Sequence, residues 1–368
     1  MNRRITVVSA VLAVFSLAVL AVGCGGGSEA APTTEASGSP ATTETATPPT
    51  EAAPEPVTLR MGVEWPTGDP RTELVAEHFV KAVADASGGL ITVELFGGGE
   101  IAQAKDINEA IDSNLLDLAL TKLSAGWTTA VPELTVLGLS VFDDSGHAFR
   151  ALDGDLGTEL AQALEEKGNA KLLSWITAGD VDAMGLSDGQ ITTPEDLKGR
   201  KMRASSKADA VSCEALGAVP VVIDSSEMYM ALQRGTVDGV FITTASGVEK
   251  AKLYEVTKYW TRIPIVSGAQ LGIVAGADSW EALDPAVQQT LMDAATGTRA
   301  AIADWAETGG AKQWDAVAAL DGITTYVVPP DQISVWKDLM RDSQRGLLEE
   351  AVSPDEAAHL LDLVIQAR

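Results

Sequence analysis

Short apolar runs alternate with amphipathic stretches along most of this chain, at the spacing of strands and helices in βαβ units. The apolar runs at 57–63 and 90–96 predict strands, and the mixed stretch at 70–86 between them predicts a helix. This order is typical of an α/β protein built on parallel strands. Further strands are predicted at 116–120, 171–176, 201–204, 219–223, 273–277 and 323–328, and further helices at 102–113, 145–166, 227–234 and 285–319, the last one broken at Gly309-Gly310.

The segment 193–239 has the clearest start and stop signals. Thr193 and Asp196 form the pattern of a capping box, which predicts a helical turn just before the strand at 201–204. Arg203 lies at the end of that strand, and ligands bind at strand ends in parallel α/β sheets. A second interpretation makes Arg203 a surface residue in an ion pair with Glu195 or Asp196.

Four stretches of this segment carry a family resemblance. They read TPEDLKGRKMR at 193–203, LGAVP at 216–220, EMYMAL at 227–232 and RGTVDG at 234–239. In this order and spacing they resemble the solute receptors of tripartite ATP-independent periplasmic (TRAP) transporters, of the dicarboxylate-receptor type. Weaker agreement extends over about 57–300.

The resemblance implies a fold of the periplasmic-binding-protein type, with two α/β lobes and a central ligand cleft. The chain would cross between the lobes near 180, near 268 and near 308, and the lobes would close on a ligand by a hinge motion. Lobe I is expected to comprise 57–180 plus 269–308, and lobe II 181–268 plus 309–368.

The resemblance also implies a binding protein and not an enzyme. Such a receptor captures a small organic acid outside the cytoplasm and delivers it to TRAP membrane subunits that are driven by an ion gradient. Arg203 matches the family's arginine that holds the solute carboxylate, which suits the planar fork of a guanidinium. No cofactor and no metal are expected.

One departure from the family pattern bears on the solute. The family often has a second basic residue before the TPEDL segment, whereas Asp180 and Asp182 occupy that region here. We therefore expect a monocarboxylate with a larger apolar part, or a solute with a positive group. The further candidates for ligand contacts are Glu64, Trp65, Thr121, Lys122, Trp127, Trp175, Asp182, Ser225, Phe241 and Thr243.

For the three tryptophans in this set, a position in the core is an equal alternative, because most tryptophans of large domains lie there. Lys122 is the only other positively charged candidate at a strand end, after the run at 116–120.

The N-terminus has the pattern of a lipoprotein signal at 1–23. Two arginines precede an apolar run at 5–20, and small residues precede Cys24. The run is short for a membrane span, although an uncleaved anchor is the alternative. The segment 24–56 is rich in Pro, Thr, Ala and Glu and lacks Lys and Arg, which predicts a disordered stalk. A lipid on Cys24 would hold the protein on the outer face of the cytoplasmic membrane, as its only membrane contact.

The net charge argues against a nucleic-acid-binding protein, and the cysteine count argues against a disulfide within the mature chain. A net charge of −26 argues against binding to nucleic acid, and an anionic solute would need a local cation. With Cys24 lipidated, Cys213 has no partner for a disulfide and is predicted to be a buried, inert thiol.

Two competing functions stay open. Gly185, Ser187 and Gly189 match the G-x-S-x-G pattern of a secreted serine hydrolase, with His359 downstream, but no helix is predicted directly after the serine. The chain's three histidines lie far apart, which does not favour a zinc site. The other alternative is a sensory or scaffold lipoprotein that has no role in transport.

Overall fold

The structure is a computed structural model and describes residues 56–176, 181–266 and 271–368. Within these ranges the strands are β1 Val57–Val63, β2 Ile91–Phe96, β3 Leu118–Lys122, β4 Ala170–Ile176, β5 Val181–Leu186, β6 Lys201–Ala204, β7 Val219–Val222, β8 Gly239–Thr243, β9 Tyr259–Val266, β10 Leu271–Gly276 and β11 Thr324–Val327.

The α-helices of the same ranges are α1 Pro70–Val75, α2 Lys81–Ala86, α3 Ile107–Asp112, α4 Leu123–Gly126, α5 Ser145–Asp153, α6 Asp155–Lys167, α7 Lys207–Ala215, α8 Met228–Gln233, α9 Ala245–Lys250, α10 Ala277–Glu281, α11 Pro285–Ala318, α12 Pro330–Ala351 and α13 Pro354–Gln366. A π-helical turn at Ala76–Val80 joins α1 to α2, so that 70–86 is helical throughout, as predicted. Short 3₁₀ helices cover Pro132–Gly138, Pro194–Leu197, Ser225–Glu227 and Leu253–Glu255.

The strands form two sheets, which confirms the predicted α/β class with two lobes. The first sheet has the order β2-β1-β3-β10-β4 and the second β11-β9-β5-β8-β6-β7. Each is parallel except for one strand, β10 in the first and β5 in the second. We call the first sheet with the helices packed on it lobe I, and the second lobe II.

Both antiparallel strands come directly after a passage from one sheet to the other. β4 of the first sheet is followed by β5 of the second, and β9 of the second by β10 of the first. The crossings predicted near 180 and near 268 fall on 177–180 and 267–270, outside the described residues. The predicted lobe boundaries stay a prediction.

Apolar side chains cover both faces of the first sheet. Met61 and Leu120 pack with Phe79 on one face, and Ala119 and Trp127 belong to the core on the other. A parallel sheet with both faces buried needs strands that are apolar at nearly every position, as these are. The polar residues at the ends of such strands are therefore the ones available for a ligand.

The predicted break at Gly309-Gly310 is wrong, because α11 continues through both residues. Ile302 is buried in the core of lobe I and Trp314 in that of lobe II, so the helix is held by packing on both sides of the two glycines. That packing outweighs the roughly 1 kcal/mol by which each glycine disfavours a helix. A Cβ at Gly309 would lie 2.7 Å from the ring of Trp305, so glycine there makes room for the indole.

The single helix predicted at 145–166 is two helices. Gly154, with extended backbone angles, separates α5 from α6. Asp144 caps α5 by accepting a hydrogen bond from the backbone N of His147 at 2.7 Å. The sequence therefore indicated the cap at Asp144 where the first helix begins, but it did not indicate the break at Gly154.

The two C-terminal helices contact both lobes. α12 packs on α7 of lobe II, and α13 packs on α5 and α6 of lobe I. The side-chain amide of Gln344 donates to the hydroxyls of Ser140 and Ser212, at 3.1 and 2.8 Å. The end of the chain thus joins elements that lie on different lobes.

Candidate ligand-binding site

Two parallel strands of lobe I end side by side at the predicted ligand edge. The register pairs Val63 of β1 with Leu120 of β3, so Glu64 follows one strand where Thr121 and Lys122 complete the next. Thr121 is fully buried, and its hydroxyl has no hydrogen-bond partner among the described residues. An unpartnered buried hydroxyl is costly, so a polar group of a bound molecule at this position would be stabilising.

Glu64 is half-buried and has charged neighbours of both signs. Burial raises the pKa of Glu64; the positive charges of Lys122 and Arg71 oppose this, and the negative charge of Asp69 adds to it. Two acidic and two basic side chains therefore lie near this strand end, which combines hydrogen-bond donors and acceptors.

Asp69 and Arg71 form a buried ion pair next to this strand end. The Asp69 carboxylate accepts hydrogen bonds from Nε and Nη2 of Arg71, both at 2.9 Å. The Arg71 guanidinium carbon lies 4.1 Å from the ring centre of Trp65, in a cation–π contact. Burial alone would raise the pKa of Asp69, but its bonds to Arg71 and to the hydroxyl of Ser246 outweigh burial and lower it.

Sequence reasoning missed this pair. The sequence Asp69-Pro70 before a helical stretch is the signal of an N-cap followed by proline, and Asp69 does cap α1. Nothing in the local pattern indicates that Arg71, a residue type that is mostly exposed, is only 6% exposed.

Arg203 lies in β6 of lobe II and is 4% exposed. Its Nε donates to the backbone oxygen of Ile223 at 2.8 Å, and its Nη2 donates to the hydroxyl of Ser225 at 3.1 Å. Two predicted site residues, Arg203 and Ser225, are therefore in contact. Both N–H groups of Nη1 and one of Nη2 have no partner in the described part of the chain.

The charge of this guanidinium is not matched by a bonded acid. Burial lowers the pKa of Arg203, while the negative charges of Asp209 and Asp224 oppose the shift. Over the described ranges no carboxylate lies within ion-pair distance of Arg203. The alternative ion pair with Asp196 is not present, since the Asp196 carboxylate accepts from the backbone N of Thr192 and Thr193.

Residues close to the ends of β3 and β6 meet at a contact between the two lobes. A Cβ built on Gly138 would lie 3.5 Å from the Cβ of Ser124 and 3.4 Å from that of Ala208. Ser124 follows Lys122 by two residues in lobe I. Ala208 lies in the first turn of α7, the helix that follows β6 in lobe II. An ion pair of 3.6 Å between Lys105 and Asp224 crosses the same boundary. The carboxyl ends of β3 and β6 therefore lie near the same region of contact between the lobes.

Four more of the predicted site residues are buried as well. Trp127 is fully buried and its indole N–H donates to the backbone oxygen of Gly168 at 2.9 Å, so the ring is part of the core of lobe I. Phe241 is likewise fully buried in the core of lobe II, and Trp175 and Thr243 are buried too. β8, which carries Phe241 and Thr243, lies beside β6, with Val240 paired to Arg203 in the register. The side chain of Asp182 lies outside what the structure describes.

The G-x-S-x-G segment has structural roles throughout. A Cβ at Gly185 would lie 2.6 Å from the ring of Trp260, and Gly189 has a φ of +82° in the turn after β5. The Ser187 hydroxyl donates to the backbone oxygen of Val256, and His359 pairs instead with Glu159. The serine lacks both the following helix and the base that a nucleophile elbow requires.

No cluster of three or more His, Cys, Asp or Glu side chains in the described ranges has the arrangement needed to hold a metal ion. No helix in the same ranges combines the length and the apolar character needed to cross a membrane.

Comparison with known proteins identifies the fold. A solved structure of a TRAP periplasmic solute-binding protein from Sulfitobacter, with bound β-D-galacturonate, superposes with a TM-score of 0.73. It is 21% identical in sequence, and the match covers 84% of this chain and 99% of that one. The two-lobed architecture is therefore that of the TRAP periplasmic solute-binding proteins.

Curated relatives agree with the structural match. The C4-dicarboxylate-binding protein DctB of Bacillus subtilis is 27% identical over 269 residues, which are 72% of this chain and 74% of DctB. The protein y4mM of Sinorhizobium fredii is 33% identical over 207 residues, 55% of this chain. That match spans only 37% of y4mM, so much of the relative has no counterpart in the aligned region.

The family follows from the length of the profile match. Residues 61–350 match the DctP family, described as bacterial extracellular solute-binding protein, family 7. This match covers more than half of the chain, and it runs from the end of β1 through Arg203 to near the end of α12. The predicted resemblance to TRAP-type solute receptors is confirmed, and the chain belongs to bacterial extracellular solute-binding protein family 7.

Proposed function

We propose that this protein captures a small organic acid in the cleft between its lobes and delivers it to the membrane subunits of a TRAP transporter. The observation that carries the proposal is Arg203, a buried cation with three N–H groups that have no partner among the described residues. A solute carboxylate would accept two parallel hydrogen bonds from Nη1 and Nη2 of its guanidinium. In a chain with a net charge of −26, such a local cation is needed to attract an anion.

The lobe I side of the cleft favours a solute with one carboxylate and several hydroxyls. Glu64 supplies an acceptor, Lys122 a donor, and Thr121 an unpartnered hydroxyl. A second carboxylate would compete with Glu64 and Asp69 for Lys122 and Arg71, whereas hydroxyls would be satisfied by both donors and acceptors. A sugar acid such as the galacturonate bound by the Sulfitobacter protein suits this arrangement better than a C4-dicarboxylate.

A thermal-shift comparison tests the proposal. D-Galacturonate, well above its dissociation constant, should raise the melting temperature by several degrees, since a ligand at 100 times that constant adds about 2.7 kcal/mol of stability. Succinate should give a smaller shift. D-Galactose, which lacks the carboxylate, should give none. If neither these acids nor a wider panel of organic acids raises the melting temperature, the receptor proposal fails. The alternative of a scaffold lipoprotein with no role in transport is then favoured.

The site of anchoring is part of the same proposal. Cys24 lies outside the described residues, and the support for its lipidation is the signal pattern at 1–23 and the stalk composition at 24–56. Cys24→Ser should release the protein from membranes or leave the signal uncleaved, as cell fractionation and intact mass would show. Cys213→Ala is the matched control and should stay with the membrane, because Cys213 is a buried thiol whose pKa burial raises to about 12. A Cys24→Ser protein of mature mass in the membrane fraction would contradict the assignment.

A further inference from the structure

A buried hydrogen bond joins the two lobes. The hydroxyl of Ser246 donates to Oδ2 of Asp69 at 3.0 Å, across 177 positions of sequence. The two residues are 1% and 3% exposed. Asp69 caps α1 of lobe I, and Ser246 lies in the first turn of α9, which follows β8 of lobe II.

Each partner is fixed within its own lobe. α9 is anchored by Ala245 and Val248, which are buried in the core of lobe II beside Trp260. α1 continues into the helix that carries Phe79 into the core of lobe I. A hinge motion that separates the lobes would therefore have to break the bond between Ser246 and Asp69.

The acceptor of this bond, Asp69, is also in contact with residues near the carboxyl end of β1. The same Asp69 carboxylate holds Nε and Nη2 of Arg71, and Arg71 lies over the ring of Trp65. Trp65 comes directly after Glu64, at the carboxyl end of β1. A continuous set of contacts thus runs from the strand end of lobe I to the serine of lobe II.

We propose that Asp69 and Ser246 form a latch that holds the lobes closed, and that Arg71 and Trp65 connect this latch to the strand end at Glu64. The inference rests on the proposed function only in taking that strand end as the solute-facing side of the cleft. A solute that orders Trp65 and Arg71 would fix the acceptor of the latch and so favour the closed form.

The latch differs from the exposed ion pair between the lobes. Lys105 and Asp224 also pair across the cleft, but both side chains are more than half exposed, so solvent screens their attraction. Ser246 and Asp69 are buried from solvent, and a hydrogen bond to a charged acceptor is stronger than one between neutral groups. The buried contact should therefore weigh more in the balance between open and closed forms.

The test measures the distance between the lobes in the absence of solute. Spin labels on Thr92→Cys and Glu195→Cys, both exposed and one on each lobe, report the open and closed populations by double electron–electron resonance. Ser246→Ala should lower the ratio of closed to open protein about tenfold, in keeping with the loss of one hydrogen bond to a charged group.

Ser279→Ala is the matched control. Its hydroxyl donates to Asp117 at 2.9 Å, a bond of the same chemistry that lies within lobe I. This variant should keep the wild-type ratio of closed to open forms. A wild-type ratio in Ser246→Ala, or an equal fall in both variants, would overturn the latch.

A second arm separates this inference from the proposed function. Ser246→Ala should weaken galacturonate binding by up to about tenfold, because the competent closed form is less populated. If galacturonate and the other organic acids fail to bind even the wild-type protein, the proposed function fails, and the distance measurement without solute still decides the latch.

Discussion

Arg203→Ala should weaken binding of the cognate acid by tens to thousands of fold. Removing one partner of a buried, hydrogen-bonded charge pair costs about 2–5 kcal/mol of binding free energy, and each 1.4 kcal/mol is roughly tenfold in affinity. Arg203→Lys should fall between wild type and Arg203→Ala, because lysine keeps the charge but loses the fork and the bond to Ile223. Titration calorimetry measures the three affinities.

Arg200→Ala provides the control for this series. Arg200 lies three positions away and pairs with Asp188 at the surface, where the Asp188 side chain is 76% exposed. Its loss should leave affinity unchanged. Circular dichroism should show that all variants are folded. A folded Arg203→Ala protein with wild-type affinity would remove Arg203 from the site, together with the chemical argument for a carboxylate.

Arg71→Ala should lower the free energy of unfolding by about 3–5 kcal/mol, as is typical when one partner of a buried ion pair is removed. The Asp69 carboxylate would stay buried without its two guanidinium bonds, and Trp65 would lose its cation–π contact. Urea denaturation followed by tryptophan fluorescence measures the change.

Two further variants decide whether burial is the cause. Lys81→Ala removes an ion pair with Asp85 that is exposed on both sides, and it should leave stability unchanged within error. The double variant Asp69→Asn/Arg71→Met replaces the charged pair with neutral groups, and it should lose less stability than Arg71→Ala alone. An Arg71→Ala protein as stable as Lys81→Ala would show that the pair contributes little.

Local sequence signals were sufficient for several elements. The bounds predicted for β1 at 57–63 and β6 at 201–204 match the structure, because polar or turn-forming residues flank each of these segments. The capping box of Thr193 and Asp196 is present for the same reason, since all its bonds lie within a few residues. Such features depend on neighbours in sequence, so they can be predicted from it.

Features that depend on distant partners could not be predicted. The continuity of α11 depends on packing against both lobes, which outweighs the pair of glycines. The position of Trp127 is set by the backbone of Gly168, 41 residues away, which holds the indole in the core. The bond between Asp69 and Ser246 likewise spans 177 positions, and neither residue stands in a motif that would suggest the other.

The central claim is that a solute carboxylate binds to Arg203 in the interlobe cleft. A crystal structure of the protein with the acid that raises its melting temperature most tests this directly. We expect both carboxylate oxygens to lie about 2.7–2.9 Å from the free Nη1 and Nη2 donors of Arg203. A well-ordered acid whose carboxylate lies elsewhere, with Arg203 bonded only to Ile223 and Ser225 as it is here, would contradict the account.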